Sequence, residues 1–185
     1  SGYQFSRQSK KVPLVSTAYR KIQTAIPSPG SEKLLEKLDK LESRSMHGQV
    51  PLIWDKAEDF LVYDSSENCW IDFTSGIFFS NVGHSNSRVL DAIKKVMEKP
   101  MLGCYAYPNE IRANYLEKLL AFAGPPFEKG FLLSAGTETT EAALKLMRMK
   151  GQDLNKRRLG IISVENNWHG RTMGAQMLSS NLSQK

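Results

Sequence analysis

The stretch Phe131-Leu-Leu-Ser-Ala-Gly-Thr-Glu-Thr-Thr-Glu-Ala-Ala-Leu-Lys-Leu-Met-Arg148 constrains this chain more than any other. Its apolar start, Phe131 to Leu133, predicts a buried strand, and Ser134-Ala-Gly136 breaks it. Ala142, Ala143, Leu146 and Met147 then repeat with the period of one buried helical face. Thr137 reads as the N-cap, Glu138 and Glu141 put negative charge in the first turn, and Glu141 pairs favourably with Lys145 four residues on. A strand that ends in a small-residue turn and opens a helix aims unpaired backbone N–H groups into the turn, where they can hold a phosphate. Gly136 lets an anion approach the main chain. The helix dipole contributes at most about 2 kcal/mol, so such a turn positions an anion without holding it alone. Taken by itself, the stretch is explained most simply by Gly136 and Thr137 turning the chain and capping the helix. Neither G-x-x-x-x-G-K-[ST] nor G-x-G-x-x-G occurs in it, so it lacks the two commonest nucleotide fingerprints.

A second stretch changes the weighing. Gly160-Ile-Ile-Ser-Val164 reads as another buried strand, and it runs into Glu165-Asn-Asn-Trp-His-Gly-Arg-Thr-Met-Gly174. Trp168 offers a flat aromatic face, His169 an imidazole, Gly170 flexibility and Arg171 a guanidinium. A phosphate turn followed one βα unit later by an aromatic plate and a carboxylate-binding arginine suits a planar phosphorylated cofactor and an acidic substrate. The alternation of strand and helix from residue 131 onward predicts an α/β fold with a parallel sheet.

Ser134 to Arg148 and Trp168-His-Gly-Arg-Thr172 resemble the matching segments of the class III, or omega, aminotransferases, and 4-aminobutyrate aminotransferases most. Asp72-Phe-Thr-Ser-Gly-Ile77 with Asn81-Val-Gly-His84 resembles the family's segment near the substrate. The resemblance runs from about Pro51 to Ser180. It implies a pyridoxal 5'-phosphate (PLP) enzyme of fold type I that passes an amino group from a 4-aminobutyrate-like omega-amino acid to 2-oxoglutarate. By the same resemblance Gly136 and Thr137 bind the cofactor phosphate through backbone N–H and hydroxyl, and Trp168 stacks on the ring. His169 supports Trp168, Arg171 pairs with a substrate carboxylate, and Ile77 approaches the substrate. Ile77 is read equally well as ordinary core, and His84 as a capping or packing residue. The family's cofactor-bearing lysine and ring-nitrogen aspartate would fall beyond Lys185, so the chain is expected to be an incomplete, N-terminal portion of that fold and inactive alone. Ala57-Glu-Asp59 lacks the glycine common in the family's turn there.

Residues 1–30 then form an extended arm, 31–84 the N-terminal part of the small α+β domain, 85–126 connecting helices and an interface loop, and 127–185 the start of the PLP-binding large domain. Within these, Ser31 caps a helix to about Ser43 that buries Leu34, Leu35, Leu38 and Leu41. Phe60–Tyr63 and Cys69–Phe73 form a hairpin. Helices follow over Ser87–Lys99, stopped by Pro100, and Glu110–Ala123. Tyr105 and Tyr107 are candidates for a homodimer interface. Lys156-Arg157-Arg158 reads as a solvated turn.

Of the net charge of +6, residues 1–50 hold nine Lys or Arg against four Asp or Glu. A basic arm can touch nucleic acid, but scattered charges with few interleaved aromatics are explained more simply by a solvated arm, and no nucleic-acid partner is expected. No apolar run reaches membrane-spanning length, and Cys69 and Cys104 give neither a disulfide framework nor metal spacing. A cytoplasmic setting is the expectation, with small-molecule amino acid and 2-oxo acid substrates. An aminomutase, racemase or decarboxylase of the same family, and a non-enzymatic binding module using the basic arm, are the other readings.

Overall fold

The computed structural model describes residues 5–43, 46, 49–99, 101, 103–155 and 159–180. The chain divides into two compact units, Ser1–Gly103 and Cys104–Lys185. That boundary falls inside the segment 85–126 that the sequence reads as one connecting block. Pro100 as a helix stop and Lys156-Arg157-Arg158 as a turn lie outside the described residues.

The first unit is built on a five-stranded antiparallel sheet in the order β1-β2-β5-β4-β3. Its strands are β1 (Val15–Ser16), β2 (Lys21–Ile22), β3 (Lys56–Glu58), β4 (Leu61–Tyr63) and β5 (Cys69–Ile71). The β4–β5 hairpin follows from alternating apolar residues around Asp64-Ser-Ser-Glu-Asn68, with Val62 facing Trp70. The expected extended arm instead folds back as the antiparallel pair β1–β2 and joins the hairpin edge to edge through β2 and β5. Ile22, Val62 and Cys69 form the small apolar core.

What binds the arm is polar. The Asp64 carboxylate accepts from the amides of Ser66 and Asn68 (2.9 Å each), from the Ser28 hydroxyl (2.7 Å) and from Asn68 Nδ2 (2.8 Å). Asn68 Oδ1 accepts from the amides of Gln23 (2.8 Å) and Thr24 (3.2 Å), while Nδ2 also reaches Thr24 Oγ1 at 2.6 Å. Asp64 and Asn68 are 1% and 0% exposed, and every polar atom of the pair is used, which is the condition for burying such groups at little cost.

Helix α1 (Ser31–Leu41) begins after Gly30 at φ 92° with no side-chain cap, so Ser31 is its first residue and not its cap. Helix α3 (Ser87–Met97) is capped by Asn86, whose side chain accepts from the amides of Arg88 and Val89. The apolar stripe of α3 is uncovered and that of α1 partly so: Val89, Leu90, Ile93, Val96 and Met97 are exposed, as are Leu34 and Leu41, while Leu35 and Leu38 are half-buried. The periodicity was sufficient to form the helices, but no layer among the described residues packs on them. Helix α2 (Ser75–Phe78) is a single left-handed turn, treated below.

The second unit contains α4 (Glu110–Ala123), α5 (Gly136–Leu154) and α6 (Met173–Leu178). Asn109 caps α4, and the Arg112 guanidinium holds the carbonyls of Tyr105 (3.2 Å), Ala106 (3.4 Å) and Tyr107 (2.7 Å), leaving both tyrosine rings exposed. The strands expected at Phe131–Leu133 and Gly160–Val164 carry no ladder among the described residues, where all pairing is antiparallel and in the first unit. A parallel strand needs a bonded neighbour and a covered face; without them Ile162 is 98% exposed. The buried face of α5 is also displaced from expectation. Leu144 is its buried residue and α6 the element it packs on, while Leu146 and Met147 are exposed.

Candidate active site

Ile77 lies in the first unit. Ser75, Gly76, Ile77 and Phe78 have φ of 49°, 61°, 61° and 71°, four consecutive residues in the left-handed region. Each non-glycine residue there costs roughly 1–2 kcal/mol, and a β-branched one is an outlier. Asp72 over-determines the turn. Its Oδ1 accepts from the Thr74 amide (2.8 Å) and hydroxyl (2.6 Å), and its Oδ2 from the Gly76 amide (2.9 Å) and His84 Nε2 (2.7 Å). His84 is therefore neither a cap nor simple packing; it clamps the carboxylate, beside a cleft of about 310 Å³ lined by Asp59, Phe60, Ser75, Ser80, Asn81 and Gly83 as well. Asp59 takes φ 48°, and its backbone bonds His84 both ways. Ile77 itself is 72% exposed, so it is not core. Strain of this kind persists where a fixed, unusual side-chain presentation is useful.

Burial works against the charge on Asp72, but the Thr74 hydroxyl, the His84 ring and the amides of Thr74 and Gly76 outweigh it and hold the carboxyl well below its usual range. A carboxyl depressed on folding stabilises fully above its ordinary pKa of about 4, and that stability is lost as pH falls toward the depressed value. Thermal melts from about pH 5 to about pH 2.5 should therefore narrow the gap between wild type and Asp72→Asn toward the acid end. A gap that stays constant across that range would show that the ionised carboxylate does not hold the turn.

The other five residues lie in the second unit. Gly136 and Thr137 are the first two residues of α5, and the N-cap position is Ala135, which has no capping side chain; Thr137 is not the cap. Glu138 folds back, its Oε2 accepting from the amides of Ser134 (2.9 Å) and Ala135 (3.2 Å). No ion pair joins Glu141 to Lys145; Glu141 turns instead to Thr172, Gly174 and Ala175. The Thr137 hydroxyl meets Thr172 Oγ1 at 2.8 Å and accepts from the Thr172 amide at 3.4 Å. With Thr172 donating to Glu141, Thr137 donates to Thr172, so its hydroxyl proton is not free for a phosphate while its amide is. Gly170, at φ 116°, packs directly on Thr137, where a Cβ would lie 2.2 Å from Oγ1. The loop 165–172 is thereby brought onto the start of α5.

On that loop the Arg171 guanidinium lies 5.5 Å from the centroid of the Trp168 ring, and the indole remains 57% exposed. The two residues expected to serve separately are in cation–π contact with each other. Asn167 Nδ2 donates to His169 Nε2 at 3.0 Å, which fixes that nitrogen as an acceptor, and Asn167 Oδ1 is buried with no partner among the described residues. Glu141, Thr172 and Gly170 were not singled out as site residues. The recoverable signal was the spacing: Thr137 and Glu141, four apart on one helix face, meet Gly170 and Gly174, also four apart.

The turn fits an ester phosphate. Its amides already converge on an anionic group, the Glu138 carboxylate, those of Gly136 and Thr137 are first-turn donors, and a Cβ built on Gly136 meets nothing within 4 Å. Among the described residues there is no cluster of His, Cys, Asp or Glu able to hold a metal ion, and no helix long and apolar enough to cross a membrane.

Known proteins are similar to this chain in sequence and fold. The family model described as aminotransferase class-III covers residues 43–184. The acetylornithine aminotransferase of Clostridium acetobutylicum is 38% identical over 132 residues, 70% of this chain and 33% of that protein. The ornithine aminotransferase of Brevibacillus brevis is 31% identical over 150 residues, 80% of this chain and 37% of that one. The taurine:2-oxoglutarate aminotransferase of Bifidobacterium kashiwanohense, solved in complex with PLP and glutamate, superposes with a TM-score of 0.71 at 25% identity, over 83% of this chain and 34% of that one. The chain belongs to the class-III aminotransferase family, PLP-dependent enzymes of fold type I. It spans about a third of the length of the curated relatives it matches. Those relatives are named for acetylornithine and ornithine, whereas the sequence resemblance put 4-aminobutyrate first.

Proposed function

We propose that the complete protein is an aminotransferase that takes the amino group of an omega-amino acid and delivers it to 2-oxoglutarate. The observation that carries this is the seating of the Trp168 loop on the first turn of α5 through Gly170, Thr137 and Thr172. It brings the loop that bears an aromatic ring and a guanidinium onto a helix start whose first amides are donors. PLP, when bound, supplies the electron sink that lets an amino group be exchanged. The Gly136 and Thr137 amides bind its phosphate. Trp168 stacks on its ring, worth roughly 0.5–1.5 kcal/mol beyond burial. His169, bonded to Asn167, holds the loop beside that indole. Arg171 binds the carboxylate of the 2-oxo acid and of the donor, a charge-assisted pairing that fixes which end enters. No catalytic group is assigned within these residues.

Because similar proteins are named for ornithine and acetylornithine, these donors are to be tested alongside 4-aminobutyrate. The product of the complete reading frame, assayed with PLP, 2-oxoglutarate and each of these donors, should form glutamate with at least one. Absence of glutamate with all of them would overturn the reading. Consumption of donor without glutamate would favour an aminomutase, racemase or decarboxylase instead. The exposed Tyr105–Tyr107 turn, pinned by Arg112, supports a homodimer interface on this face of the second unit.

A further inference from the structure

We propose that Glu141 is a positioning residue for the cofactor pocket: its carboxylate clamps the loop bearing Trp168, His169 and Arg171 against the first turn of α5. The inference rests on the PLP reading above and deepens it. Glu141 Oε1 accepts three hydrogen bonds, none from its own helix: from the Thr172 hydroxyl (2.5 Å), the Gly174 amide (2.8 Å) and the Ala175 amide (3.1 Å). The chain of contacts continues from Thr172 to Thr137 at 2.8 Å, and so reaches the residue whose amide faces the phosphate.

Two glycines make the clamp possible. A Cβ at Gly174 would lie 2.3 Å from Glu141 Oε2, and one at Gly170 would lie 2.2 Å from Thr137 Oγ1. Thr137 and Glu141 sit one helical turn apart on α5, and each receives one of these glycines. Two points of contact fix both the position and the rotation of the intervening Arg171–Met173 segment, which one contact would not do. The side-chain hydrogen bonds of Glu141 go to Thr172, Gly174 and Ala175, so it acts on the loop through Thr172. The hydroxyl of Thr172 and the amides of Ala175 and Gly174 hold the Glu141 carboxyl below its ordinary value.

The test uses the product of the complete reading frame, titrated with PLP and followed by the induced circular dichroism of the cofactor's visible band. That signal reports how the ring is held, which a residue needed only for folding would not change in a folded variant. Glu141→Ala should bind PLP about tenfold more weakly, the lower end for orphaned donors around a site, with a reduced induced signal. Glu141→Gln keeps an acceptor oxygen and should stay within about threefold of wild type, and Thr172→Val should fall between them. Glu141→Ala with affinity and induced signal within about twofold of wild type would overturn the proposal. Should Glu141→Ala fail to fold, an unchanged Thr172→Val would overturn it equally. Failure of the wild-type protein itself to bind PLP would instead remove the cofactor reading, and the clamp with it.

Discussion

Replacing Gly170 with alanine is expected to weaken PLP binding by about a hundredfold or more in the product of the complete reading frame, while leaving the first unit's sheet unaffected. The new methyl group would lie 2.2 Å from Thr137 Oγ1, 2.5 Å from its Cβ and 3.0 Å from its Cα. A hydroxyl can rotate away, but a Cα on the first turn of a helix cannot. The backbone at position 170 also has φ 116°, which only glycine adopts without strain. The loop must therefore lift from α5, and Trp168 and Arg171 lift with it. Hydrogen exchange over residues 165–175 should rise in the variant even without cofactor. Wild-type affinity in Gly170→Ala would mean that the loop's seating on Thr137 has no part in holding PLP.

Asn68→Ala should cost about 3 kcal/mol of unfolding free energy, a large share of the roughly 5–15 kcal/mol typical of a domain. The truncation orphans the amides of Gln23 and Thr24 and removes one donor from Asp64, all around a side chain that is 0% exposed. The apolar core of this unit is small, so polar satisfaction carries an unusual share of its stability. The loss should also be local in character. With the Gln23 and Thr24 anchors gone, strands β1 and β2 detach first, and trypsin should cut after Arg20 or Lys21 in the variant under conditions where the wild type resists. Unfolding free energies from urea titration that agree within about 0.5 kcal/mol would contradict this account of the arm.

The helices were legible in the sequence because periodicity and caps are local: α3, α4 and α5 fall within a few residues of where apolar spacing puts them. Their burial was not, because a stripe says that a face wants a partner and not whether one is present; Val89, Ile93 and Leu146 form helices and stay bare. The arm's two strands were missed since two-residue strands have no period to read, and what holds them is Asn68, in a loop that looks like an ordinary hairpin turn. The strands at 131–133 and 160–164 read clearly as apolar runs, yet a parallel ladder depends on neighbours far away in sequence. The left-handed turn at 75–78 could not be foreseen, since only Gly76 of its four residues signals positive φ, and the force that imposes it comes from Asp72 and His84. In the candidate site, Gly136, Trp168 and Arg171 were recognisable by residue type and spacing. The bonds that bring them together, from Thr137 to Thr172 and from Thr172 to Glu141, join residues 31 or more positions apart and carry no local signature.

The most direct test of the cofactor pocket is a crystal structure of the complete reading frame's product grown with PLP. The phosphate should accept hydrogen bonds from the Gly136 and Thr137 amides, with the pyridine ring lying flat against Trp168. A phosphate bound away from the start of α5, or a ring that leaves the indole uncovered, would contradict the account.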